Sequence, residues 1–380
     1  MLLSAGSVLT GTSSLGAGWV EIESGLVVGV GSGTPARPVD VDLADAVIAP
    51  GFVDMHVHGG GGAAFFEATD DAVAASLALH RRHGTTAMVA SLVSDHQQTL
   101  LQQVGALAGH VESGELLGIH LEGPWLAARR CGAHEPSALR SPDPAEVEAL
   151  LAAGRGAVRM VTLAPELPGA IEAIRRIVGA GAVAAIGHTD ATYEQARAAI
   201  DAGATVATHL FNAMRPVHHR DPGPVVAALE DPRVTVELIT DGVHLHPALP
   251  RLVTADVGAD RVALVTDAMA AAGMADGAYR LGSLAVDVSG GVARVAGTDT
   301  IAGSTATMDT LLSKAVEHAS GDREEALLTA IRQLCINPLR ALNLPSPGLS
   351  PGGPADLVVL SPELAIRSVM RQGSWVQERA

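Results

Sequence analysis

Between residues 50 and 344 the chain alternates two hydrophobic patterns. Short apolar runs of five to nine residues mark buried strands, and longer stretches with apolar positions three or four apart mark amphipathic helices. The runs fall at 51–58, 85–93, 116–122, 158–166, 183–188, 206–210, 234–240 and 262–267. Helical stretches lie among them at 70–83, 96–108, 144–153, 193–203 and 224–230. Eight strand–helix units predict an α/β fold, a (β/α)8 TIM-type barrel over 50–344, with its site at the C-terminal strand ends. A doubly wound open sheet is the alternative, but no Gly-x-Gly-x-x-Gly turn follows the first run.

The ends read differently. Residues 1–49 break into short strands separated by Gly and Ser, and 345–380 read the same way, which predicts that both termini build one small β-sandwich domain. Alternation near 278–298 predicts a β-hairpin inserted after the eighth strand.

Composition narrows the possibilities. Of 380 residues, 25 are basic and 41 acidic, a net charge of −16 that argues against nucleic acid or an anionic membrane as partner. Phosphate would have to be held by local donors. Aromatics make up only 2%, so small aliphatic side chains must fill the core. Cys131 and Cys335, the only cysteines, are far apart, and a cytoplasmic location is expected. The start, Met1-Leu-Leu-Ser-Ala-Gly, has neither a basic flank nor a long apolar segment and reads as a strand. Lys314 is the only lysine and sits in a helical setting, so chemistry requiring a lysine at a strand end is excluded.

The strand ends carry the candidate chemistry. Strand one ends in His56 and His58, two apart and so able to share a face, followed by four glycines. Strand three ends in Glu122, strand five in His188, strand six in His209 and strand eight in Asp267. Imidazoles and carboxylates converging on one mouth suit zinc or a similar divalent ion. Such an ion brings bound water near neutral pKa, and Asp267 is the expected base and acid. Glu122 is open to the same role, and an Asp at 267 also fits a helix N-cap.

These residues carry a resemblance. Pro50-Gly-Phe-Val-Asp-Met-His-Val-His-Gly, His120-Leu-Glu-Gly-Pro-Trp, Gly132-Ala-His, Ile186-Gly-His-Thr, Thr208-His-Leu-Phe-Asn-Ala-Met, Asp241-Gly-Val-His, Thr266-Asp-Ala-Met and Ile301-Ala-Gly-Ser resemble the amidohydrolase superfamily. Within it, nearly the whole chain is similar to the deacetylases of N-acetylglucosamine 6-phosphate.

The resemblance implies hydrolysis of that sugar's acetamide to glucosamine 6-phosphate and acetate. It implies Glu122, His188 and His209 as metal ligands, Asp267 as proton carrier, and a second ion if His56 and His58 also bind. Ala133 and His134 would lie near the acetyl carbonyl, and Ile301, Ala302 and Gly303 against the sugar. Asn212, Ala213, Arg220 and His246 would hold the phosphate, with Arg220 reaching across a homodimer. Cys131 stands where such relatives usually carry a lysine.

Overall fold

The computed structural model describes residues 1–378, so the last two positions of the expected terminal domain lie outside the described residues. Eight parallel strands form one sheet in strict sequence order: Phe52–Val57, Thr85–Leu92, Gly118–Glu122, Val158–Leu163, Val183–Ile186, Ala204–Ala207, Thr235–Leu238 and Val262–Leu264. Each is nearly all buried, which is why each reads as an apolar run rather than an alternation.

The sheet closes where the chain leaves the eighth strand. Asp267 N–H donates to the carbonyl of His56 at 2.9 Å, and His58 N–H donates to the carbonyl of Ala268 at 2.8 Å. Below that joint the Thr266 hydroxyl donates to the Asp54 carboxylate at 2.5 Å, with both residues fully buried. Burial pushes the Asp54 carboxyl up to about 7, even though bonds from Thr266 and His56 pull the other way. Met55, Val89, Met160, Val183, Val206, Ile239, Ala263 and Val265 form the packed core of the barrel. A closed, side-chain-filled barrel of this kind leaves only its rim for chemistry.

The helices wrap the outside. Thr69 caps Asp70–Arg82, Asp143 caps Pro144–Ala153, and Thr192 with Gln195 forms a capping box for Tyr193–Asp201. The structure adds Ala170–Gly179, which buries Ala170, Ala173, Ile174 and Ile177 at helical spacing, and Ala248–Val257. Arg323–Ile331 continues through a π turn into Asn337–Ala341, where the Asn337 amide bonds the carbonyls of Ala259 and Val262.

The terminal segments form two sheets facing one core. One contains only N-terminal strands, Leu2–Ala5, Gly18–Glu23, Leu26–Ser32 and Val41–Asp42. The other joins Val47–Pro50 antiparallel to Leu357–Leu360, with Ile48 opposite Val359. Leu3, Val20, Ile48, Leu357, Val359 and Met370 are buried between them. The expected hairpin at 278–298 is a three-stranded meander instead: Gly277–Leu281, Leu284–Ser289 and Val292–Val295. A third strand gives the middle one a partner on both edges, whereas a bare hairpin is marginal. Among the described residues no helix is long and apolar enough to cross a membrane.

Candidate active site

At the C-terminal rim the strand ends converge as the sequence predicts. Glu122 is buried at the centre, and its two oxygens face different partners. Oε1 lies 2.9 Å from Nε2 of His188 and 2.9 Å from Nε2 of His209. Oε2 lies 3.1 Å from Nε2 of His58 and 3.6 Å from Nε2 of His56. Asp267 Oδ1 is 3.1 Å from His58, on the same side as the first-strand pair. Ligating atoms of His56, His58, Glu122 and Asp267 all fall within 4.8 Å of one another, and so do those of Glu122, His134 and His188. His209 belongs with the second set by distance, since its Nε2 is 3.0 Å from that of His188.

The backbone is bent to achieve this. His188, His209 and Asp267 have φ of +47°, +29° and +48°, in the left-handed region that costs a non-glycine residue energy. Three strained residues, two or three positions beyond the ends of three strands, aim three side chains inward. No helix starts at Asp267, which removes the N-cap reading; the next one begins at Met308.

The chemistry of the donor set fits a cation. His188 Nδ1 faces the carbonyl of Arg130 at 2.9 Å, so it carries the proton and leaves the Nε2 lone pair turned toward Glu122 and His209. Nδ1 of His56 faces the carboxylate of Glu237 at 3.1 Å, which turns its Nε2 toward His58. Burial opposes charge on His56, but Glu122, Asp267 and Glu237 outweigh it and hold the imidazole well above its ordinary range. His58 is pushed up to about 9 against its own burial by bonds to Asp267 and Glu122. Glu122 and Asp267, despite burial that opposes their charge, are pulled well down, with His56 the largest opposing influence on both. Three buried carboxylates therefore demand positive charge, which a divalent ion supplies at the spacing present. Lys314 stands apart on the outer helix Met308–Glu317, 3.4 Å from Glu317, so no lysine bridges this centre.

His134 is set up differently. Its Nδ1 accepts from Ser94 N–H at 3.1 Å, so the proton sits on Nε2, 3.4 Å from Glu122 Oε2. Burial, then the neighbouring His188, hold it down to about 4, where it is a neutral donor at physiological pH.

A cleft of about 370 Å³ opens above these groups. Of the expected substrate contacts, Ala133, His134, Asn212, Ala213, Ile301 and Gly303 line it, while Ala302 is buried beneath the loop. Asn212 is partly committed, its amide donating to the carbonyl of His209 at 3.1 Å. Two expected residues stay outside the cleft of their own chain. Arg220 is exposed and lies against His219 at 2.8 Å, and His246 is exposed with Nδ1 accepting from Ala248 N–H.

His244 lines the cleft in place of His246. Asp241 fixes it, accepting from Nδ1 at 2.8 Å and from the backbone N–H of His244 at 2.9 Å. Burial opposes charge on His244, and Asp241 more than offsets it, so its pKa is raised. Arg129, Arg130, Asp299 and Thr300 also line the cleft and had no marker in the motifs. The glycines after the first strand allow close packing: Gly59–Gly60 pairs with Ala63–Ala64, and a Cβ on Gly60 would sit 2.7 Å from His80 Nε2. Cys131 is half-buried and free. A second cavity, about 420 Å³, lies between helices Ala248–Val257, Met308–Glu317 and Arg323–Ile331, away from the mouth and mainly apolar.

A parallel barrel with imidazoles and carboxylates gathered at this rim defines a metal-dependent hydrolase. The amidohydrolase family matches residues 47–376. N-acetylgalactosamine-6-phosphate deacetylase of Escherichia coli O157:H7 is 37% identical, covering 88% of this chain and 89% of the relative. The human N-acetylglucosamine-6-phosphate deacetylase is 36% identical, covering 88% and 84%. The D267A variant of N-acetyl-D-glucosamine-6-phosphate deacetylase from Mycobacterium smegmatis, solved with N-acetyl-D-glucosamine-6-phosphate, is 59% identical with a TM-score of 0.98 over 99% of both chains.

The chain belongs to the amidohydrolase family. It is a hydrolase of that family's N-acetylglucosamine-6-phosphate deacetylase group.

Proposed function

We propose that the cleft hydrolyses the acetamide of N-acetylglucosamine 6-phosphate, with Asp267 moving the proton. The division of Glu122 between two sets of imidazoles carries the reading. Glu122, His188 and His209 would hold one divalent ion, and His56, His58 and Glu122 a second. Zinc is the ion proposed, because imidazole and carboxylate at these spacings suit it. Bound there, it would supply Lewis acidity and make a water a better nucleophile.

The chain's own residues supply the rest. Asp267 is held ionised, so it can take a proton from water and return it to the leaving amine. His134, neutral with Nε2–H in the cleft, donates to the acetyl oxygen as negative charge develops. Ile301 and Gly303 contact the sugar. Ala213 and His244 hold the phosphate, with Asn212 fixing the turn beside them. Arg220 does not line its own cleft, and we propose that it completes the phosphate site of a partner in a homodimer.

The test measures acetate release from N-acetylglucosamine 6-phosphate, its unphosphorylated form, and N-acetylgalactosamine 6-phosphate, the sugar named for the Escherichia coli O157:H7 relative. Asp267→Asn should keep its metal and lose at least about 100-fold in kcat. Equal turnover with and without the phosphate would sink the substrate reading, and full activity of Asp267→Asn would sink the proton carrier.

A further inference from the structure

Glu237 has no part in the reading above, and no sequence motif marks it. It occupies the third position of the seventh strand, Thr235–Leu238, between Val236 and Leu238, which pack outward against the helices. Its side chain therefore points into the barrel, fully buried. Oε2 touches both halves of the centre: it accepts from Nδ1 of His56 at 3.1 Å and from the backbone N–H of His209 at 3.0 Å. Oε1 is buried with no partner.

A half-satisfied carboxylate in a barrel core costs free energy unless something uses it. The use is visible in the comparison of imidazoles. His56 and His188 each have Nδ1 held by an oxygen, Glu237 for one and the Arg130 carbonyl for the other. His58 and His209 have buried Nδ1 atoms without a partner. One imidazole in each half is thus locked in tautomer and direction, and only the lock on His56 is a charged side chain. A carboxylate behind a ligating imidazole fixes the ring, makes it a better donor, and is worth about 10- to 100-fold in metal affinity.

We propose that Glu237 is the positioning residue that gives the first-strand pair its ion. By turning the Nε2 of His56 toward His58 and Glu122, it makes this a two-ion centre. The inference rests on reading the cleft as a metal centre, and it assigns the second ion's affinity to a residue on a different strand from its ligands.

The test is metal stoichiometry and affinity of the purified full chain, by elemental analysis after dialysis against zinc buffers of stepped free concentration. The wild type is expected to bind two ions per chain. In Glu237→Leu the weaker ion is expected to shift by about 10- to 100-fold or disappear, while the ion on Glu122, His188 and His209 is kept. Glu237→Gln, whose amide oxygen still accepts from Nδ1, should fall between the two. Cobalt-loaded protein gives a readout independent of activity: Glu237→Leu and His56→Ala should lose the same visible band, and combining them should add nothing.

Two ions at unchanged affinity in both Glu237 variants would overturn the proposal. Equal weakening of both ions in a Glu237→Gln protein that melts like the wild type would overturn it too, since that is a general structural role. A wild type with one ion, unaffected by His56→Ala, overturns the second site but leaves the deacetylase reading standing. A wild type with no metal ends both.

Discussion

Asp241→Asn tests whether a buried charge behind the cleft sets phosphate affinity. Asp241 accepts three bonds, from Val243 N–H at 2.8 Å, His244 N–H at 2.9 Å and His244 Nδ1 at 2.8 Å. Both side chains are nearly buried, at 8% and 6% exposure, so solvent screens the pair little. Asparagine can keep the backbone bonds through its oxygen but presents an amide N–H2 to Nδ1. His244 then holds its single proton on Nε2 when neutral, with no carboxylate to favour its charged form.

The sign follows from the raised pKa. His244 carries its charge below that raised value and loses it as pH climbs through it. Without Asp241 the loss begins near the ordinary histidine value of about 6.5. Exchanging a charged for a neutral donor to phosphate removes about 1–1.5 kcal/mol, which raises KM roughly 5- to 15-fold in the pH window between that ordinary value and the raised one. The bond is present in ground and transition states alike, so kcat should hold. The assay is KM against pH for phosphorylated and unphosphorylated sugar in both proteins. A fall in kcat at constant KM, or an equal KM change for both sugars, would refute the reasoning.

Three further outcomes are expected. Thr266→Val strips the barrel's closing joint of a hydroxyl that donates to Asp54 and accepts from Ala268 N–H, leaving Asp54 Oδ2 and the Ala268 N–H, both buried, without their partner. The cost is about 2–5 kcal/mol in a denaturant melt; a midpoint equal to wild type would show the joint to be slack. Removing metal with a chelator should lower the melting temperature, by about 2.7 kcal/mol of stability relative to protein held at 100 times the ion's Kd, read by calorimetry with and without zinc added back. His134→Asn should lower kcat by about 100- to 1,000-fold while metal content stays constant, because only a developing oxyanion needs the Nε2 donor; a loss confined to KM would place His134 elsewhere in the mechanism.

Much of this architecture was legible because buried parallel strands write themselves as short apolar runs, and because a strand's last polar residue stands out where the run stops. Glu122, His188, His209 and Asp267 were found that way. Glu237 was not, although a carboxylate between Val236 and Leu238 in an otherwise apolar run was the available signal: an inward position that packing alone does not explain. The choice between His244 and His246 could not be made by spacing, since both follow Asp241-Gly-Val; the Asp241 carboxylate settles which ring turns inward. In the meander, the pair about the Gly290-Gly291 turn, with positive φ at both residues, was the legible hairpin; Gly277–Leu281 was not, because most of its residues are exposed and leave no alternating apolar face to read.

The barrel's joint also orders events in time. His56, His58, Glu122, His188 and His209 emerge from the ribosome before Asp267, which follows the last of the eight barrel strands. A nascent chain therefore holds the donors proposed for both ions while it still lacks the carboxylate proposed to move the proton. Asp267 reaches His58 only when its N–H closes onto the carbonyl of His56. The carboxylate proposed to move the proton is thereby brought to its place only by completion of the cylinder.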